Sequence, residues 1–499
     1  MMEKKKLCKC CTAGWLLCVI GGISIPVVSY FIKKQVEKTV IIKKGGVLYD
    51  LWKDVPIPIY MQFYMFNVTN VYEILNGGKP YVTQKGPYTY IEKREKFNIT
   101  FNPNGTVSYR QKRIFIFDRS KSIGDDSDVF VTANPLYWTV LAAIKYEYLD
   151  INKILQFVLK FGGEGPFFEK SVKDLVWGYK DKMLEVGNEL APQWFYTDFV
   201  GYFMNKNNTD DGVYTIFTGE KDITMLGMID KYNGSSYLNF WSTKSANMVN
   251  GTDGTLGPPY LSEDRTLYLF ASDICRSVSG EWTSNVKVKD ISLRRYTAGF
   301  MYLANATINP DNIGFCTPES NCMDTGLVNI STCQLIDYFH IPAVVSLPHF
   351  YMASDRIKNS IGGLSPSAEE HQTFVDLEHN TGLVLSVAKR LQINLYIQPV
   401  DGLPETSKIL PSVLPVFWLN ETAVVNDKYA DQLKRMLFIP KLVVEVVQIA
   451  MLSGGALLLL ISVFYGVFKL RENQKIFMKP GDKRLSSLTE SDDRRHLVS

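Results

Sequence analysis

Leu391-Gln392-Ile393-Asn394-Leu395-Tyr396-Ile397-Gln398 alternates an apolar with a polar side chain through eight positions. Successive side chains of an extended chain point to opposite faces, so this stretch predicts a β-strand with one face turned to a core. Residues 107–117 supply a second strand candidate, with Ile114 and Ile116 opposite Arg113 and Phe115. Residues 213–217 and 267–270 add short apolar or aromatic runs. Asn-Gly or Asp-Gly pairs at 104–105, 211–212, 233–234, 250–251 and 253–254 are turn signals, because these residues tolerate positive φ. With no internal repeat and no long Gly/Ser or Pro linker, the prediction is one continuous, mostly antiparallel β body.

Residues 135–161 break that period. Pro135 can open a helix, and Tyr137, Leu141, Ile144, Tyr148, Ile151, Leu155 and Val158 recur every three or four positions. A shorter helix is expected over 171–184, before a mixed apolar segment to 203. The two make a helical insertion at 135–203 that carries Lys145, Lys153, Lys160, Lys170, Lys173, Lys180 and Lys182. Such a surface can recognise a protein, or meet anionic lipid heads through its lysines. An ordinary solvated helix pair has the same pattern, since an apolar stripe specifies packing and not a ligand.

Uncharged runs flank this body at 12–32 and 446–468. At about 1.5 Å per residue, lengths of 21 and 23 residues match a hydrocarbon core of about 30 Å. They predict two transmembrane helices and a division into a tail at 1–11, a span at 12–32, a large domain at 33–441, a membrane segment at 442–468 and a tail at 469–499. A cleaved signal peptide is the rival for the first run. Its apolar stretch is longer than the usual core of about 7–15 residues, and no persuasive small-residue cleavage signal accompanies it. Lysines on both sides of the first span give no orientation, whereas Lys469, Arg471, Lys475, Lys479, Lys483 and Arg484 follow the second. Nine Asn-X-Ser/Thr triplets, opened by Asn67, Asn98, Asn104, Asn207, Asn233, Asn250, Asn305, Asn329 and Asn420, all lie between the spans. The large domain is therefore expected to be luminal or extracellular and to carry N-linked glycans, with both tails cytosolic.

Cysteine usage divides the same way. Cys8, Cys10 and Cys11, with Cys18 just inside the first run, are placed for palmitoylation or serve as reduced, partly buried thiols. Cys275, Cys316, Cys322 and Cys333 lie in the oxidising compartment and can form two disulfides in any of three pairings. Zinc is disfavoured, because paired short spacings are missing and no histidine falls among them. The large domain's histidines, His340, His349, His371 and His379, match no zinc motif, and there is no phosphate-binding glycine loop or nucleophile elbow. Neither an enzyme nor a cofactor is expected, and with a net charge of +3 nucleic acid is not an expected partner.

Several ordered signatures carry a resemblance. They include Gln62-Phe63-Tyr64-Met65-Phe66-Asn67-Val68-Thr69-Asn70, Gly86-Pro87-Tyr88-Thr89-Tyr90 and Leu175-Val176-Trp177-Gly178-Tyr179-Lys180-Asp181. Asn250-Gly251-Thr252-Asp253-Gly254, Phe270-Ala271-Ser272-Asp273-Ile274-Cys275-Arg276-Ser277, Pro348-His349-Phe350-Tyr351 and Ala388-Lys389-Arg390-Leu391-Gln392-Ile393-Asn394 continue the match. With the two-span layout, they make the chain resemble the class B scavenger receptor family over nearly its whole length. The resemblance implies an irregular antiparallel β-barrel crossed by an internal apolar tunnel, with a helical bundle at its apex. It also implies disulfides Cys275–Cys333 and Cys316–Cys322, and bound cholesterol, phospholipid or fatty acid. Four outer cysteines, where the fatty-acid and lipoprotein receptors usually have six, favour the family's lysosomal branch.

Asp493-Arg494-Arg495-His496-Leu497-Val498 resembles an acidic dileucine sorting signal, with valine in the second aliphatic place. Asp493, Leu497 and Val498 would engage a cytosolic adaptor complex, directing the chain to lysosome and endosome membranes. In the lysosomal branch the apex binds beta-glucocerebrosidase, and residues 150–173 resemble that site. Tyr148, Ile151, Leu155 and Val158 are the expected apolar cargo contacts, with Lys153, Lys160 and Lys170 as the charged ones. Lys170 stands where that branch has a histidine linked to pH-dependent release; lysine stays charged across that pH range, so this departure puts the release in doubt. A luminal protein cargo, lipids, adaptors and a second copy in a homodimer are the expected partners. A plasma-membrane receptor for lipoprotein, fatty acid or other lipid is the alternative.

Overall fold

The alternating stretch at 391–398 lies near the middle of one large antiparallel sheet. The computed structural model describes residues 2–55, 57–146, 151–317 and 321–477. Val36–Gln432 forms one compact unit, and the helices at the two ends of the chain belong to another. The sheet of the larger unit has thirteen strands. In chain order they are β1 (Ile59–Val68), β2 (Val82–Asn102), β3 (Thr106–Phe117), β4 (Thr209–Phe217), β5 (Ile229–Tyr232), β6 (Leu267–Ala271) and β7 (Arg276–Val288). They continue with β8 (Ile291–Ala298), β9 (Leu327–Asn329), β10 (Ala343–Ser346), β11 (Phe374–Leu377), β12 (Val384–Ile397) and β13 (Ser412–Val424).

Their spatial order is β6-β7-β8-β11-β12-β13-β1-β2-β3-β4-β5, with β10 and then β9 branching from β12. The Asn104-Gly105 pair turns β2 into β3, with Gly105 at φ +82°. This is a conformation that a residue without Cβ adopts freely. In β12 the apolar side chains behave as the alternation requires, but its polar face is not solvated. Gln392 and Asn394 are buried, and residues 344–349 satisfy them: Gln392 Oε1 accepts from His349 N–H at 2.7 Å, and Asn394 Nδ2 donates to Val344 O at 2.9 Å. Buried amides persist when their hydrogen bonds are made.

The expected barrel is not formed. Strand pairing runs as an open path whose end strands, β5 and β6, do not pair with each other. Loop residue Thr252 makes one isolated bridge to Met228 beside β5 and one to Leu269 in β6, capping both edges without a ladder between them. Closing a barrel takes a staggered ladder between first and last strands. The architecture is therefore an open, irregular antiparallel sheet.

Helices α1 (Pro135–Tyr146) and α2 (Asn152–Phe161) occupy the predicted insertion. The single helix expected at 171–184 is two: α3 (Val172–Trp177) and α4 (Lys182–Leu190). Gly178 divides them at φ +113°, outside any helical conformation, and the Asp181 carboxylate restarts the helix by accepting Met183 N–H at 2.8 Å. Val172, Leu175, Val176, Met183 and Leu184 join the same core as Phe63, Trp138 and Phe417.

The helices Met2–Thr39 and Ile439–Phe477, which make up most of the smaller unit, contain stretches, Lys9–Thr39 and Ile439–Gln474, long and apolar enough to cross a membrane. Large apolar side chains such as Trp15, Phe31, Leu460 and Phe464 are exposed on them, as a lipid-facing helix requires. The pair packs where side chains are smallest: a Cβ on Gly14 would meet Gly455 O at 2.9 Å. Two spans make this a two-pass membrane protein with both flanking segments on one side.

Candidate functional site

A cavity of about 600 Å³ opens against the face of β12 that carries Leu391 and Ile393. Met61 of β1 and Leu419 of β13 extend this apolar wall across neighbouring strands, and Ile274 and Ile330 add to it. Segments 196–206 and 334–337 form the other walls. The alternation of β12 is what brings Leu391 and Ile393 to the cavity, and Lys389, two positions earlier on the same face, is there for the same reason.

Lys389 marks a charged end. Asp273 accepts from Arg113 Nη1 and Nη2 at 3.2 and 2.9 Å and from Lys389 Nζ at 3.3 Å. Lys389 also lies 3.5 Å from Glu421, which pairs with Arg94, and Arg94 Nε reaches Glu92 at 2.7 Å. Burial pushes the Asp273 carboxyl up, but the Arg113 guanidinium and then Lys389 outweigh it and hold the group well below the usual range. Burial pulls Lys389 down, yet Glu421 and Asp273 leave it raised. Glu421 is held at about 2 because Arg94 and Lys389 overcome its desolvation, whereas burial keeps Glu92 raised. Lys206 lines the cavity and adds positive charge felt by Asp273. Around this end four cations, Arg94, Arg113, Lys206 and Lys389, thus stand against two firmly ionised carboxylates and one that burial holds toward its neutral form; Lys206, Lys389 and Asp273 line the cavity itself, as does Asp337 farther along. An apolar wall ending in a positive field can hold a molecule with a hydrocarbon body and an anionic head.

Between the walls, the Asp337 carboxylate accepts Tyr196 N–H at 3.3 Å and Thr197 N–H at 3.2 Å. Burial pushes it up to about 6, against the weaker pull of those two bonds. Asp337 lies in no motif of the sequence, and although Lys389 and Asp273 fall within two of the quoted signatures, nothing in those signatures pairs them. Their partners are distant in the chain, 141 residues in the case of Asp337 and Tyr196.

The histidines sit elsewhere, and two of them form a pair. His349 and His371 stack with ring centroids 4.4 Å apart. Ser365 and Ser367 N–H donate to their Nδ1 atoms at 3.0 and 2.9 Å, which places each neutral ring's proton on Nε2. Burial first, then His371, pushes His349 down to about 4. Both rings are uncharged packing groups at neutral pH. Among the described residues, no group of three or more His, Cys, Asp or Glu side chains is placed to hold a metal.

The expected cargo contacts divide by exposure. Ile151, Leu155 and Val158 are buried in the main core, so their stripe fastens α2 to the body instead of meeting a partner. Lys153 and Lys160 face outward, together with Phe157 and Phe161, whose rings lie 4.3 Å apart. Lys170 is engaged internally: its Nζ lies 2.8 Å from Glu164 and 4.4 Å from the Tyr179 ring centroid. Tyr148, Asp493, Leu497 and Val498 lie outside the described residues. Cys275 is bonded to Cys333 and Cys316 to Cys322; Cys10 and Cys11 are exposed thiols, and nothing is described of the Cys8 side chain. Among the sequon asparagines, Asn98, Asn104, Asn207 and Asn233 are exposed, Asn67, Asn250 and Asn305 are half-buried, and Asn329 and Asn420 are buried.

A family model described as CD36 family matches residues 12–466. The chain belongs to the CD36 family. Similarity to two of its groups is comparable. Lysosome membrane protein 2 from Rattus norvegicus is 37% identical over 457 residues, covering 90% of this chain and 93% of the relative. The Homo sapiens protein of that name is 37% identical over 455 residues, covering 89% and 93%. Scavenger receptor class B member 1 from Sus scrofa is 34% identical over 466 residues, covering 93% and 89%. CD36-family membership makes this chain a receptor-type membrane protein and not an enzyme.

Proposed function

We propose that this chain is a lysosomal scavenger-type receptor whose large domain, luminal and N-glycosylated, binds an anionic lipid in the 600 Å³ cavity. The cavity's pairing of an apolar wall with a cationic end carries this reading. The hydrocarbon part would lie along Leu391 and Ile393, and a fatty-acid carboxylate or phospholipid phosphate would sit by Lys206 and Lys389. Cholesterol has no charge for that end and would use the wall alone. Outward-facing Phe157, Phe161, Lys153 and Lys160 would form a separate surface for a luminal protein cargo such as beta-glucocerebrosidase. Adaptor recognition at Asp493, Leu497 and Val498, palmitoylation at Cys8, Cys10 and Cys11, and homodimer formation complete the proposal.

Native mass spectrometry of the full chain in detergent tests the lipid. A copurifying anionic lipid is expected, and Leu391→Trp, which fills the cavity, should remove it. Lys206→Glu should weaken its binding about tenfold, or roughly 1.4 kcal/mol. Equal lipid content in wild type and both variants would reject the site. The similarity to scavenger receptor class B member 1 favours a second reading, a lipid-uptake receptor at the plasma membrane. The steady-state location of the full chain separates the two.

A further inference from the structure

A second cavity, of about 470 Å³, is lined by residues 232–240 with Phe270, Ser272 and Cys275, the segment whose Asp273 and Ile274 line the first. Its volume falls in the range of roughly 300–1,000 Å³ typical of small-molecule sites. Tyr237 and Phe240 present exposed rings to it, while Tyr232 and the buried Phe270 pack 5.0 Å apart between ring centroids. Asn233, Ser235 and Asn239 contribute polar groups to the lining. Flat apolar rings beside amides and hydroxyls suit a pyranose: its C–H face lies on an aromatic ring, and its hydroxyl and acetamido groups meet the polar side chains.

The competing chemistries fit less well. Lys244 Nζ already stands 4.9 Å from the Tyr237 ring centroid, where a second cation would be repelled. The Asp211 carboxylate nearby accepts from the hydroxyls of Tyr214 and Ser272. An acyl chain would make no use of the amides of Asn233 and Asn239 or the Ser235 hydroxyl along the lining.

Asn233 is itself both part of this lining and the first residue of an Asn-Gly-Ser sequon. It occupies the first corner of a two-residue turn: Tyr232 and Ser235 exchange backbone hydrogen bonds of 2.8 and 3.1 Å, and Asn233 and Gly234 have φ of +49° and +82°. The turn holds Asn233 exposed, and its Oδ1 accepts Val213 N–H at 2.8 Å, which fixes the direction of the amide. A glycan attached there starts at the edge of the groove. The tether holds its sugars at an effective concentration of about millimolar or more, enough for weak stacking contacts to be populated.

We propose that this groove is the docking site of the chain's own N-linked glycan at Asn233, whose core sugars lie on Tyr237 and Phe240. The inference rests on the reading that the domain is luminal and glycosylated. The test is peptide-N-glycosidase release from the folded full-length protein, followed site by site with glycopeptide mass spectrometry. Asn104, in the exposed Asn-Gly turn between β2 and β3, is the reference. Asn233 should be occupied and released about fivefold more slowly than Asn104, as a mostly docked population requires. Tyr237→Ser with Phe240→Ser should bring the two rates together and leave Asn104 unchanged; Phe240→Ser alone serves if the double variant does not accumulate. An unmodified Asn233 overturns the glycosylation reading. An occupied Asn233 released as fast as Asn104 in the wild type overturns the docking while leaving that reading intact.

Discussion

Asp337 joins two walls of the first cavity, and its charge sets a pH dependence. Its carboxyl is raised from 3.8 to about 6 by burial. A raised carboxyl contributes stability that is fully present below about pH 4, its unfolded range, and lost as pH rises through about 6. The fold therefore tolerates this residue better at acidic than at neutral pH. Asp337→Asn removes the titration, so its stability relative to wild type should improve between pH 4.5 and 7.4. Urea midpoints at the two pH values measure that change, and a constant difference would exclude Asp337 as the source. His349 has the opposite sign: pushed from 6.5 down to about 4, it supplies stability that is fully present above the usual histidine range and is lost progressively as pH falls from there through about 4. At this scale little was legible in advance. His349, His371, Asp337 and Lys389 each owe their state to groups brought close only by the folded sheet and its loops.

At the scale of elements, periodicity was read correctly and its purpose was sometimes misread. Alternation marked β12, but the sequence could not say that residues 344–349 would cover Gln392 and Asn394. The three-to-four spacing of Ile151, Leu155 and Val158 marked α2, yet a stripe looks the same whether it faces a core or a partner. The remaining break, at Gly178, depends on a positive φ between two short helices that a single apolar pattern spans without a gap. Burial decides the α2 question quantitatively. Leu155→Ala should cost about 2–5 kcal/mol by leaving a cavity in the main core. Phe157→Ala should stay within about 0.5 kcal/mol. Denaturant unfolding of the two variants tests this, and equal losses would put the stripe on the outside after all.

Across the whole molecule, the two spans and the β body with a helical insertion were legible from composition and pattern, whereas closure was not. Whether end strands pair depends on stagger accumulated over many strands, which no local stretch encodes. The disulfides act on the same scale. Cys275–Cys333 joins positions 58 apart, and Cys316–Cys322 joins positions only 6 apart. Chain-entropy estimates give about 4 kcal/mol for the long loop and about 2 kcal/mol for the short one. Cys275→Ser with Cys333→Ser should therefore lower the unfolding midpoint more than Cys316→Ser with Cys322→Ser, and the reverse order would place the stabilisation in the native state. The centre of the sheet imposes a further order of events. β1 pairs with β13 through Ile59↔Ala423 to Met65↔Phe417, and the Gln62–Asn420 contact spans 358 residues. During synthesis the earliest strand must wait, with an unzipped edge, until nearly all of the domain has been made. Completion of the sheet is thereby set by the arrival of the final strand, and until then that edge is open to pairing elsewhere.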